Sequence, residues 1–137
     1  MNKVIESTYM RSIFRAHHPL RHLQSFKFAF SGILETFLNE PNFRVQFVLT
    51  VVVISLGFSF KVGFIEWAIL IIALGALLSA ELVNTAIEYM LDVLFVEYHD
   101  AAKIVKDVAA AFVLITACSS LCAILLIFGK IFVEHLL

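Results

Sequence analysis

Charge is what this sequence has least of. Of its 137 residues, 15% are Asp, Glu, Lys or Arg and 61% are hydrophobic, whereas soluble domains carry roughly 25% charged residues. Such a composition excludes a disordered chain, which needs polar and charge-rich sequence. It also leaves an ordinary soluble globule too few polar groups to cover its surface. Net charge is −1, so no basic field points to nucleic acid. Glycine occurs five times and proline twice; no internal repeat or low-complexity linker divides the chain, and its length admits one domain, 1–137. The two cysteines, Cys118 and Cys122, stand four apart in an apolar run. That spacing puts them on one helix face, where they suit neither a disulfide nor a zinc site, so core or lipid-facing packing is expected. A Gly-rich P-loop, G-x-G-x-x-G and a kinase catalytic loop are all missing. The first 24 residues have basic positions but no continuous apolar h-region, so insertion is expected to rely on the spans themselves.

What is present comes in blocks. Nine charges lie in residues 1–44, two at Lys61 and Glu66, eight in 81–107, and two at Lys130 and Glu134. The gaps between them are long and apolar. Val45–Phe60 carries one amide, Gln46, and is flanked by Arg44 and Lys61, which can snorkel. Val62–Ala80 is broken only by Glu66 beside Trp67, and Val108–Gly129 has no charge. A hydrocarbon core needs about 20 residues per helix. The pattern predicts an all-α integral membrane protein with three transmembrane helices, at about 43–60, 62–94 and 108–131. Lysine and arginine near the span ends put the N-terminus in the cytoplasm.

Ahead of the first span, Leu23, Phe26, Phe30, Ile33, Phe37 and Leu38 recur at three- and four-residue steps over 23–40. This predicts an amphipathic helix lying on the cytoplasmic surface, ended by Pro41. Residues 1–22 form a basic lead with His17, His18 and His22, expected to be solvated or to face headgroups.

The second span does not stop where its apolar run does. Glu81, Asn84, Glu88 and Asp92 follow at steps of 3, 4 and 4, which on a helix makes one stripe, with Thr85 at its edge. Carboxylates at the edge of hydrocarbon are costly and normally face a bundle interior or cavity. Their mutual repulsion calls for positive charge, and oxygen donors suit magnesium with phosphate oxygens completing its shell. The plain alternative is an exposed helix end with solvated acids. Glu81 argues against it, because it follows 14 uncharged residues, 67–80. Next come His99, Asp100, Lys103, Lys106 and Asp107. Lys103 and Asp107 have the spacing of a structural helix pair; the functional reading has Lys106 meet an anionic phosphate while Asp107 orients a partner. Ala109, Ala110 and Ala111 would then give the third span a small face for close approach.

The run E-L-V-N-T-A-I-E-Y-M-L-D (81–92), followed by H-D-A-A-K-I-V-K-D-V-A-A-A (99–111), resembles the signature of the small prokaryotic diacylglycerol kinase family, which includes undecaprenol kinases. S-F-K-F-A-F-S-G (25–32) and E-P-N-F-R (40–44) extend the resemblance over roughly 23–120. The resemblance implies a homotrimeric bundle of three-span protomers with shared active sites at the cytoplasmic interface. It implies transfer of the γ-phosphate of Mg-ATP to the hydroxyl of a membrane lipid, undecaprenol or diacylglycerol, in the bacterial inner membrane. Carried over by position, Glu81 would be the general base, and Glu88 and Glu40 would bind Mg2+. Asn84, Lys106 and Asp107 would hold the nucleotide and the catalytic geometry, with Asp92 in support. The sequence departs from the family at Ala111 and Phe112, where glycine is common nearby, and at Gln46, where many Gram-positive-type members carry histidine. Two other classes remain as alternatives: a non-catalytic membrane subunit glued by polar and small faces, and a cation carrier, disfavoured because the stripe lies at one membrane face rather than the midplane.

Overall fold

A computed structural model describes residues 19–136; the basic lead with His17 and His18, and the side chain of His22, fall outside the described residues. Among the described residues four α-helices follow in order: α1 (Pro19–Asn39), α2 (Pro41–Ser59), α3 (Phe64–Leu94) and α4 (Asp100–Leu136). Among the described residues there is no strand. The last three helices are long and apolar enough to cross a membrane. The chain divides into two compact units, Met1–Glu35 and Thr36–Leu137. The first contains most of α1; the second contains its last turn and α2 to α4.

Helix boundaries follow local chemistry. Pro19 opens α1, where a missing N–H costs nothing. Glu40 is extended (φ −99°, ψ 112°) because the residue before a proline is pushed out of the α region, and Pro41 starts α2. Arg44 does more than snorkel: its Nη1 donates to the carbonyls of Leu38 (2.7 Å) and Phe37 (3.4 Å). These are orphan acceptors of the last turn of α1. The rings of Phe37 and Phe47 meet edge-on, with centroids 5.4 Å apart.

The third long helix starts at Asp100, not at 108 where the apolar run begins. Asp100 in its first turn complements the helix dipole. The backbone N–H of Ala101 donates to His99 Nδ1 at 3.2 Å, so the charged segment 100–107 is helical from the outset. At about 1.5 Å per residue, the 31 residues of α3 and 37 of α4 exceed the ~30 Å hydrocarbon thickness. Both helices therefore overhang it.

Within the second unit α3 packs along α4 and, over a shorter stretch, against α2. Val53, Val62, Leu70, Leu74 and Ile127 form a buried cluster, with Trp67, Ile124, Phe128 and Ile131 against it. The α2–α3 turn closes tightly: Phe60 N–H donates to Leu56 O and Val62 N–H to Gly57 O, at 2.9 and 3.0 Å. Lys61 takes φ 52° there, a left-handed conformation that costs a side-chain-bearing residue about 1–2 kcal/mol. A Cβ on Gly57 would lie 2.8 Å from the Trp67 ring, so glycine is what lets the indole seat. An ion pair from Lys130 to Glu66 (3.0 Å) joins α4 to α3 at this end.

The face of α4 toward its neighbours is small and weakly polar. Ala102, Ala109 and Ser120 are buried, and Ser120 Oγ donates to Ala73 O of α3 at 2.9 Å. Of the alanine triplet only Ala109 is buried; Ala110 and Ala111 are exposed. Large apolar side chains such as Val48, Ile72, Leu114 and Leu126 are exposed, as are Cys118 and Cys122. Apolar surface on this scale suits lipid or another protein chain rather than water.

Two substitutions in the turn should move stability in opposite directions. Gly57→Ala should cost about 1–3 kcal/mol through overpacking against Trp67. Lys61→Gly should gain up to about 1 kcal/mol by relieving the left-handed backbone. Thermal unfolding in detergent checks both.

Candidate active site

The polar stripe of α3 is brought together with residues from the start of α2. Glu81 is 2% exposed, although it sits in a helix otherwise apolar for many turns. Its Oε2 accepts a hydrogen bond from Gln46 Nε2 of α2 at 2.9 Å. Asn42 offers Glu81 a further hydrogen bond, and the carboxylates of Glu40 and Glu88 act on it electrostatically. One turn along, Asn84 is buried and its Nδ2 donates to Glu88 Oε1 at 2.8 Å. Thr85 is also buried. Glu40, Glu81, Asn84 and Glu88, singled out by spacing and resemblance, thus form one layer, reached from both helices.

Hydrogen bonding in that layer is lopsided. The Gln46–Glu81 and Asn84–Glu88 bonds both use an amide N–H as donor and a carboxylate as acceptor. The amide oxygens Gln46 Oε1 and Asn84 Oδ1, and Thr85 Oγ1, are buried without a partner. Unpartnered buried polar atoms are uncommon in proteins and each calls for a reason. The two amide oxygens are acceptors next to negative charge, which fits a cation or a hydroxyl donor, while the Thr85 hydroxyl can both donate and accept.

The donor set can be weighed against magnesium on that observation. Glu40, Glu88 and Asn84 Oδ1 are hard oxygen ligands, the type magnesium takes. Among the described residues, no group of three or more His, Cys, Asp or Glu side chains could hold a metal. Oxygen donors of this kind could hold magnesium only with water and phosphate oxygens completing its shell.

Farther along α3 the stripe reaches a cleft of about 410 Å³ between the end of α3 and the start of α4. Asp92, Lys106, Asp107, Lys103 and His99 line it, with Phe95 and Tyr98. Lys106 pairs with Asp92 across the two helices, and Lys103 pairs with Asp107 along α4 at 2.9 Å. The two expected readings of this segment are therefore divided between two lysines. Lys103 makes the intrahelical pair, while Lys106 bridges to the stripe of α3. All four side chains remain at least 38% exposed, so they are open to a ligand.

The sequence marks Gln46 only as a departure from the family pattern and leaves open whether it joins the site. Its signal was present: it is the lone amide in a charge-free run. What the run could not show is that α2 turns this position toward Glu81. Asn42 was likewise read only as part of a motif string.

Residues 27–128 match the family described as Prokaryotic diacylglycerol kinase. An undecaprenol kinase of Bacillus subtilis is 39% identical over 108 residues, covering 79% of this chain and 88% of the relative. A diacylglycerol kinase of Haemophilus influenzae is 32% identical over 100 residues, covering 72% of this chain and 85% of the relative. A diacylglycerol kinase of Synechocystis is 35% identical over 96 residues, which span 69% of this chain and 55% of that relative.

The cleft pairs are solvent-accessible, and such pairs contribute about 0–1 kcal/mol each. Lys103→Ala and Lys106→Ala should therefore each change unfolding stability by less than about 1 kcal/mol. Chemical denaturation in detergent checks this, and a small effect clears both variants for functional comparison.

Proposed function

The chain belongs to the prokaryotic diacylglycerol kinase family and is a lipid kinase, and on that premise we propose that it transfers the γ-phosphate of Mg-ATP to the hydroxyl of a membrane lipid alcohol. The observation that carries this reading is the buried carboxylate of Glu81, held by Gln46, at the end of the apolar run of α3. In the reaction the lipid oxygen attacks the γ-phosphorus, the bond to the β-phosphate oxygen breaks and ADP leaves. Glu81 accepts the hydroxyl proton as general base.

The remaining residues position and neutralise, which is most of what phosphoryl transfer asks of a protein. Glu40 and Glu88 hold magnesium, which when bound supplies charge neutralisation on the phosphates. Asn84, fixed by Glu88, keeps its free amide oxygen toward that layer. Lys106 exchanges its contact with Asp92 for a phosphate oxygen of the nucleotide, and Asp107 keeps the cleft side chains in place. Undecaprenol is the preferred alcohol in this reading, supported by the 39% identity to the undecaprenol kinase and the N-terminal motif strings; diacylglycerol is the second.

Assembly and placement complete the proposal. The protein works as a homotrimer in the bacterial inner membrane, which would cover part of the apolar surface left exposed by one chain. The N-terminus is cytoplasmic, and α1 lies as an amphipathic helix on that side. Lipid substrate then enters laterally between helices and the nucleotide from the cytoplasm.

The test uses purified protein in detergent with labelled ATP and magnesium, offered undecaprenol and diacylglycerol side by side. ATP-dependent labelling is expected, greater on undecaprenol, and lost on chelation of magnesium. Glu81→Gln should lower turnover on the order of 10²–10⁴-fold while cross-linking still traps a trimer. Full turnover in that variant would remove Glu81 from the base role.

A further inference from the structure

The layer around Glu81 contains one residue whose identity is unusual for its surroundings. Gln46 is uncharged, yet its side chain enters a layer holding three carboxylates, Glu40, Glu81 and Glu88. It lies on α2, whereas Glu81 lies on α3, so the bond between them crosses the helix interface. Their orientation is fixed by electrostatics: turning the amide over would point Oε1 at a carboxylate oxygen, acceptor against acceptor. The N–H side therefore faces Glu81, and Oε1 is left buried without a partner. One turn farther, Thr50 Oγ1 donates to the backbone carbonyl of Gln46 at 2.9 Å, anchoring the α2 backbone at this level.

We infer that Gln46 is a positioning residue for the phosphoryl transfer. It pins Oε2 of Glu81 through its N–H, beside the hydrogen bond that Asn42 offers, and so fixes the carboxylate that takes the proton of the lipid hydroxyl. The inference rests on the base role given to Glu81 above. A donor is required at this position, because an apolar side chain would leave the buried carboxylate with Asn42 alone as amide donor from α2 and its Oε2 unpinned. Negative charge does not serve, because an acid would meet Glu81 oxygen to oxygen and compete with it for one proton. Reach matters as well. Asparagine carries the same amide one methylene shorter and cannot span the gap, whereas histidine can present a ring N–H near that distance.

The experiment compares turnover of Gln46→Leu, Gln46→Asn and Gln46→His in wild-type and Glu81→Gln backgrounds. It uses full-length protein in detergent with saturating ATP, magnesium and lipid alcohol. Gln46→Leu and Gln46→Asn should lower kcat on the order of 10²-fold, the scale of a misplaced catalytic group, with KM for ATP unchanged. Gln46→His should restore most of the loss. In the Glu81→Gln background, Gln46→Leu should add no further loss, because residues acting as one unit are non-additive. A purely structural role predicts otherwise: the penalty would recur in both backgrounds, and histidine would not rescue. Should Gln46→Leu fail to assemble, the Asn and His pair still separates the two roles. Wild-type turnover in Gln46→Leu overturns the inference while leaving the kinase reading intact. Failure of the wild-type protein to label any lipid alcohol, or full turnover in Glu81→Gln, strikes that reading instead.

Discussion

The structure depends on keeping a carboxylate inside an apolar helix pair. Glu81 is buried on α3 where Gln46 of α2 meets it, and burial of an unpaired charge there is among the most expensive placements a membrane helix can make. The cost is met locally by an amide donor from α2 and by the neighbouring polar groups on the stripe. That solution works only if α2 and α3 lie against each other in one register. Gly57, Trp67 and the tight turn through Lys61 set that register from the far end of the hairpin. A glycine and a tryptophan at one end thus govern which side chain meets Glu81 at the other.

The second unit divides its work along its length. Near the α2–α3 turn, apolar residues from three helices interlock around Leu70, and polar contacts are few. Toward the far end the packing gives way to a polar layer and then to an open charged cleft. The surplus length of α3 and α4 is what makes this possible, since it carries acids and lysines past the hydrocarbon. Ala102 and Ala109 let α4 approach α3 closely beneath the cleft, so Lys106 can reach Asp92. The resulting ion pairs are exposed and weak, so the lysines can change partners at little cost.

Much of this was legible beforehand because membrane helices obey a simple rule. Charges cannot be scattered through hydrocarbon, so their positions outline the spans, and the three long helices follow the three apolar runs. The stripe Glu81, Asn84, Glu88 and Asp92 was equally legible, since helical periodicity alone puts those residues on one face. The start of α4 was not, because hydropathy marks where a helix enters lipid, whereas capping by His99 and Asp100 marks where it begins. The part played by Gln46 stayed open for a related reason: one amide in an apolar run is tolerable anywhere, and only a neighbouring helix gives it meaning.

By itself, then, the sequence determined that the protein is all-helical, that three helices can cross a membrane, and that its acids concentrate on one stripe beside a basic segment. Those features follow from hydropathy and from the 3.6-residue turn, which are properties of single helices. Tertiary structure alone decided that Gln46 and not a basic residue meets Glu81, that Lys106 bridges to Asp92 while Lys103 stays with Asp107, and that Ala109 alone of its triplet is buried. Each of these depends on the rotation and register of one helix against another. That register is set by side-chain packing at a distance along the bundle, which no local pattern encodes.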